Sequence, residues 1–136
     1  MIVIDTCIVF HLFNETSLNL TAQKLIEKSP LIILPPIWQE EYANILVKES
    51  RKNLISRSSL LDNYDNVVDQ LAPHEITVDK KQALRIALEA NISSYDAQFV
   101  ELAVRYAIWL VTEDKELIKK NSRLAISMED FLYKIG

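Results

Sequence analysis

The segment MIVIDTCIVF, residues 1–10, places a single carboxylate inside an otherwise apolar or neutral run. Residues 2–4 predict a strand that is apolar on both faces, as is typical of strands covered by helices on each side of a sheet. A carboxylate next to such a strand is costly to bury unless it caps a helix or binds something. Asp5 therefore marks either the start of a helix over residues 6–13 or a binding site.

Composition limits the classes of protein to which the chain can belong. Its 136 residues, 49% apolar and 25% charged, predict one soluble globular domain spanning 1–136. No run approaches the roughly 20 apolar residues that cross a bilayer, and the start of the chain lacks the features of a signal peptide. We therefore expect a cytoplasmic protein without a membrane partner.

Two scarce residue types exclude further classes. The single cysteine, Cys7, excludes an internal disulfide and a cysteine-based zinc cluster. The single glycine, Gly136, excludes the glycine-rich phosphate loops of common nucleotide-binding enzymes. A net charge of −4 argues against a large, uniform nucleic-acid-binding surface, although it allows a local basic rim.

Short apolar runs alternate with helical patterns along the chain. Strands are predicted at 2–4, 31–34, 75–78, 108–111 and 124–127. Helices are predicted at 17–29, 36–50, 57–72, 79–90 and 95–106, and a short one near 114. Strands separated by helices predict an α/β fold with a mostly parallel sheet. Ligands of such sheets bind beyond the carboxyl ends of the strands.

Four acids fall close to those strand ends. Asp5 and Asp114 follow strands, Asp96 lies in the first turn of a helix, and Glu41 lies about one turn into another. Each aspartate alone could be a helix cap or a first-turn acid. Glu41 could lie at the edge of the apolar face of its helix and point to solvent. Together the four carboxylates would repel one another unless a cation were bound. Oxygen ligands suit Mg²⁺ or Mn²⁺, which can activate water for phosphodiester hydrolysis.

Four motifs carry a resemblance to a known family: IVIDTCIV at the N-terminus, EYAN at 41–44, SSYDAQFVELA at 93–103 and LVTEDKEL at 110–117. In this order and spacing the sequence resembles the PIN-domain family, specifically the VapC-type toxin ribonucleases of bacterial toxin–antitoxin systems. The resemblance spans essentially the whole chain. It implies a three-layer α/β/α fold with a mostly parallel, five-stranded sheet.

The resemblance also implies an activity and a set of site residues. The activity would be Mg²⁺- or Mn²⁺-dependent endonucleolytic hydrolysis of RNA, by a homodimer that a cognate antitoxin protein inhibits. The catalytic and metal-binding acids would be Asp5, Glu41, Asp96 and Asp114. The supporting residues would be Thr6, Thr112, Asn44 and, as an auxiliary acid, Glu116.

Basic residues near the end of the Glu41 helix are candidates for RNA contacts: Lys48, Arg51, Lys52 and Arg57. A solvated helix surface is the alternative for them. The alternative for the whole protein is a non-catalytic RNA- or protein-binding module on the same fold, which the absence of any of the four acids would favour. A haloacid-dehalogenase-type phosphatase is a poor match, because it needs a second aspartate where this chain has Cys7. A receiver domain is a poor match as well, because it needs adjacent acids after the first strand and Asp5 stands alone there.

Overall fold

The computed structural model describes residues 1–52 and 55–136. The strands are β1 (Ile2–Ile4), β2 (Ile32–Ile33), β3 (Leu110–Val111) and β4 (Ala125–Ile126). The helices are α1 (Thr6–Phe13), α2 (Asn19–Lys28), α3 (Trp38–Lys52), α4 (Arg57–Leu71), α5 (Lys80–Ala90), α6 (Ser94–Tyr106), α7 (Lys115–Lys120) and α8 (Met128–Ile135). Within these two ranges, no helix has both the length and the apolar character to span a membrane.

The sheet is parallel throughout, with the strand order β2-β1-β3-β4. The three residues of β1, Ile2, Val3 and Ile4, are all buried. Because successive side chains of a strand point to opposite faces, burial of all three means that both faces of β1 are covered. The predicted α/β fold with a parallel sheet is confirmed.

The predicted number of strands is wrong, because the described residues form a four-stranded sheet. The segment 75–78 makes one isolated parallel bridge, between Glu75 and Leu34. The Ile76 N–H donates to the Leu34 carbonyl at 3.0 Å, and the Leu34 N–H donates to the His74 carbonyl at 3.3 Å. Pro35 and Pro36 follow Leu34 and have no N–H to continue the ladder. The pairing therefore ends after one residue.

The central strands bring the site residues to one edge of the sheet. β1 pairs with β3, and the Asp5 N–H donates to the Val111 carbonyl at 3.1 Å. Asp5 and Thr112 therefore leave neighbouring strands at the same carboxyl edge. Helix α3 contacts α1, and α6 contacts β1, so the helices that carry Glu41 and Asp96 pack close to this edge.

Candidate active site

Asp5 fills the first of the two roles that the sequence left open, that of a helix cap. It is the N-cap of α1, with its Oδ1 accepting a hydrogen bond from the Thr6 N–H at 2.8 Å. Its Oδ2 accepts from the Thr112 hydroxyl at 2.6 Å and from the Cys7 thiol at 3.6 Å. Burial raises the pKa of Asp5, the bonds from Thr112 and Thr6 oppose the rise, and the charge of Asp114 adds to it. The cap uses one lone pair of Oδ1, and the second lone pair of that oxygen remains available for a cation.

Glu41 is joined to Asp5 through Thr6. The Thr6 hydroxyl donates to Glu41 Oε1 at 2.7 Å. Burial raises the pKa of Glu41 to about 7, and the charges of Asp5, Asp96 and Glu40 contribute to the rise. Glu40 is exposed whereas Glu41 is half-buried. Of the two adjacent acids, Glu41 is therefore the one directed toward Asp5.

Asp114 is the N-cap of α7. Its Oδ1 accepts from the Glu116 N–H at 3.0 Å and from the Leu117 N–H at 3.1 Å. Its own N–H donates to the Thr112 Oγ1 at 3.1 Å. One buried hydroxyl, that of Thr112, thus contacts both Asp5 and the backbone of Asp114.

Asp96 lies in the first turn of α6, where its N–H donates to the Ser93 Oγ at 3.0 Å. It is half-buried. Burial raises its pKa, and the charges of Asp5 and Asp114 raise it further. Asp96 is thus within electrostatic reach of the other acids.

A cavity of about 500 Å³ joins most of these groups. Its lining residues are Asp5, Thr6, Cys7, Glu41, Asn44, Ile45, Glu113 and Asp114. Asp96 is not among them. Among the side chains of residues 1–52 and 55–136, no three acidic, histidine or cysteine groups stand together as a formed metal site.

The supporting residues fall into two groups. Thr6, Thr112 and Asn44 line the cavity or contact its acids. Glu116 is exposed on α7, and its contact with Asp114 is made through its backbone N–H. Its side chain is not among those lining the cavity.

Glu113 was not predicted, yet it lines the cavity beside Asp114. Its Oε2 accepts from the Met128 N–H at 2.9 Å. The local signal for Glu113 is its position next to Asp114 in the TED triplet. Its partner lies 15 residues away, so nothing local in the sequence indicates that bond.

The predicted RNA-contacting residues are all exposed: Lys48, Arg51, Lys52 and Arg57. Lys48 follows Glu41 by two helical turns and Asn44 by about one, so these three residues share one face of α3. That face runs from the acidic cavity toward the basic end of the helix.

Comparison with known proteins places the chain among related sequences and folds. The PIN domain model matches residues 2–123. The chain is 25% identical over 122 residues to "Ribonuclease VapC3" of Pyrobaculum aerophilum, and the alignment covers 88% of this chain and 93% of that protein. The crystal structure of PAE2754 from Pyrobaculum aerophilum matches with a TM-score of 0.76 and 22% identity, covering 98% of this chain and 94% of that one. The likeness to PAE2754 is one of fold.

Proposed function

This chain belongs to the PIN domain family, and from that membership we propose that it is a Mg²⁺- or Mn²⁺-dependent endoribonuclease. The observation that carries the proposal is the convergence of Asp5, Glu41 and Asp114 on one cavity at the carboxyl edge of the sheet. These residues come from three separate elements. The charge of Asp96, from a fourth element, acts on the same group of acids.

The donor set fits a hard divalent cation, because all four candidate ligands offer carboxylate oxygens. Asp5, Glu41, Asp96 and Asp114 would hold the ion. Burial raises the pKa of Asp5, Glu41 and Asp96, and nearby carboxylates raise it further. A bound cation would offset that repulsion. Bound there, the ion would stabilise charge on a phosphate and lower the pKa of a coordinated water.

The chain's own threonines orient the acids. Thr6 contacts Asp5 through its N–H and Glu41 through its hydroxyl. Thr112 contacts Asp5 through its hydroxyl and accepts from the Asp114 N–H. Hydrogen-bonded neighbours of this kind fix the orientation of metal ligands. The two threonines thereby link three of the acids into one unit.

We place the substrate along the basic side of α3. Lys48 shares the face of Glu41, and Arg51, Lys52 and Arg57 lie exposed beyond it. Lysine and arginine contacts to phosphates supply affinity without reading sequence. The backbone of an RNA entering the cavity would run along this face.

The name of the relative Ribonuclease VapC3 supports a ribonuclease activity and the toxin role in a toxin–antitoxin pair. We further propose that the chain acts in the cytoplasm as a homodimer under control of an antitoxin. A second feature supports a protein partner. An apolar groove of about 610 Å³ between α3 and α4 is lined by residues that include Val47, Ile55, Leu61 and Tyr64. Val47, Ile55 and Leu61 are exposed, as is typical of interaction surfaces.

Cleavage of purified RNA tests the proposal. Wild-type protein would be incubated with transfer, ribosomal and messenger RNA in Mg²⁺, in Mn²⁺ and in EDTA, beside Asp96→Asn checked for folding by circular dichroism. We expect metal-dependent cuts that the folded variant loses. Binding of RNA without cleavage, by a folded wild type in both metals, would overturn the nuclease and favour a non-catalytic binding module.

A further inference from the structure

Glu113 stands between two residues of the candidate site, and its carboxylate leaves that site to contact the C-terminal helix. The Glu113 Oε2 accepts from the N–H of Met128, the first residue of α8, at 2.9 Å. Glu113 is also among the residues that line the acidic cavity. A side chain therefore connects the Asp114 loop to an element outside the site.

The Met128 N–H is one of the donors that a helix start leaves without an intrahelical partner. The cap of α8, Ser127, accepts instead from the Asp130 N–H at 3.1 Å. Glu113 thus satisfies a different donor. A carboxylate at a helix N-terminus is favoured both by charge-assisted hydrogen bonding and by the helix dipole.

Met128, which donates this bond, is held in the hydrophobic core. Its side chain is fully buried, and that of Phe131, one turn on, is nearly so. The strand before it, β4, pairs with β3, and the Thr112 N–H donates to the Ile126 carbonyl at 3.0 Å. The start of α8 is therefore held by the core.

The loop from Thr112 to Asp114 is consequently fixed from two sides. The first residue of the loop, Thr112, is hydrogen-bonded to Asp5 through its side chain and to β4 through its backbone. The second residue of the loop, Glu113, is hydrogen-bonded to the start of α8 through its side chain. With the preceding residues held, few backbone torsions remain that could turn Asp114 away from the cavity.

We propose that Glu113 is a positioning residue, whose bond to the Met128 N–H holds the loop so that Asp114 faces the acidic cavity. This inference rests on the proposed function, because it concerns the placement of one of the proposed metal ligands. The essential property of the side chain is its hydrogen-bond acceptor; its negative charge strengthens the bond but is not needed to form it.

Two substitutions separate these properties. Glu113→Gln keeps an acceptor oxygen and loses the charge, whereas Glu113→Ala loses both. Ser127→Ala is the matched control, since it removes the cap of the same helix without touching the loop. For each protein, Mn²⁺ affinity would be measured by electron paramagnetic resonance, RNA cleavage by gel, and amide exchange of Asp114 and Met128 by NMR.

We expect Glu113→Gln to stay within about threefold of wild type in Mn²⁺ affinity. Glu113→Ala should lose about 10-fold or more, the usual cost of removing a group that orients a metal ligand, with faster exchange at both amides. Ser127→Ala should keep wild-type affinity. Equal losses for Gln and Ala would overturn the inference in favour of a direct role for the charge.

Other outcomes would also overturn the inference. Wild-type affinity and exchange in Glu113→Ala would show that the bond positions nothing. An equal loss in Ser127→Ala would assign the effect to a weakened α8. Failure of the proposed function itself looks different, because the wild type would then neither bind Mn²⁺ nor cleave RNA, while the exchange rates would still report whether Glu113 holds the loop.

Discussion

Thr112→Val removes the hydroxyl that joins Asp5 to the Asp114 backbone while nearly preserving the volume of the side chain. Thr112 is fully buried, and its hydroxyl donates to the Asp5 Oδ2 at 2.6 Å. A hydrogen bond to a charged group contributes about 1.5–3 kcal/mol. The Asp114 N–H loses its partner as well, but Asp114 is exposed and water can replace the bond. We therefore expect metal-free Thr112→Val to lose about 2 kcal/mol at pH 8.

The loss should depend on pH in a defined direction. Burial raises the pKa of Asp5 from its ordinary value of 3.8, and the Thr112 bond opposes that rise. When folding raises the pKa of a carboxyl group, the group's contribution to the free energy of unfolding is full at low pH. That contribution is lost as the pH rises through the folded-state pKa. Removing the hydroxyl raises the folded pKa of Asp5 further. The difference in unfolding free energy between variant and wild type should therefore be larger at pH 8 than at pH 4, close to the ordinary pKa of 3.8.

The assay is urea unfolding in EDTA at both pH values. About 2 kcal/mol corresponds to roughly 4–8 °C in Tm for a chain of this size, so thermal scans give a second readout. Thr112→Ser is the control, because it keeps the hydroxyl and should lose about 1 kcal/mol for the missing methyl, equally at both pH values. A Thr112→Val protein as stable as wild type at pH 8, or a loss of the same size at both pH values, would show that the Thr112 hydroxyl does not stabilise ionised Asp5.

Three further predictions concern single features of the molecule. Glu41 has its pKa raised by burial from 4.5 to about 7, so the metal-free protein should lose stability as pH rises across that interval. Glu41→Gln should be more stable than wild type at pH 8, by about 1 kcal/mol after allowance for solvent screening; no gain in urea unfolding would contradict this. Ala107 is the C-cap of α6 and has φ 53°, a left-handed conformation that suits glycine. Ala107→Gly should therefore stabilise the folded protein by about 0.5–1 kcal/mol. A lower Tm for this variant would contradict that expectation. Lys48→Ala and Lys52→Ala should each weaken RNA binding in EDTA and reduce the slope of log K against log salt concentration by about 0.7. Lys28 lies beside the amino end of β1 and serves as the control. An equal effect of Lys28→Ala would contradict the proposed RNA path.

The sequence alone places Asp5 and Asp114 at one edge of the sheet, for a physical reason. The carboxyl ends of parallel strands meet at one edge of a sheet, and alternating strands and helices indicate a parallel sheet. The hydrogen bond between Thr112 and Asp5 joins residues 107 positions apart. It depends on β3 lying beside β1, and alternation alone does not give the order of the strands.

Two elements differ from the prediction for opposite reasons. The segment 75–78 has a strand-like composition, but its neighbour Leu34 is followed by Pro35 and Pro36, which prevent a longer ladder. Helix α8 was not predicted although its local signals are present, since Ser127 caps it and acids occupy its first turn. The first error comes from tertiary pairing and the second from an overlooked capping pattern.

If the four carboxylates make one divalent metal site, anomalous diffraction from a crystal grown with Mn²⁺ should locate the ion among them. We expect a peak bonded to Asp5 and Asp114 together with at least one of Glu41 and Asp96. No peak at millimolar Mn²⁺, or a peak bound elsewhere while these four side chains keep their separate hydrogen bonds, would contradict a shared metal site.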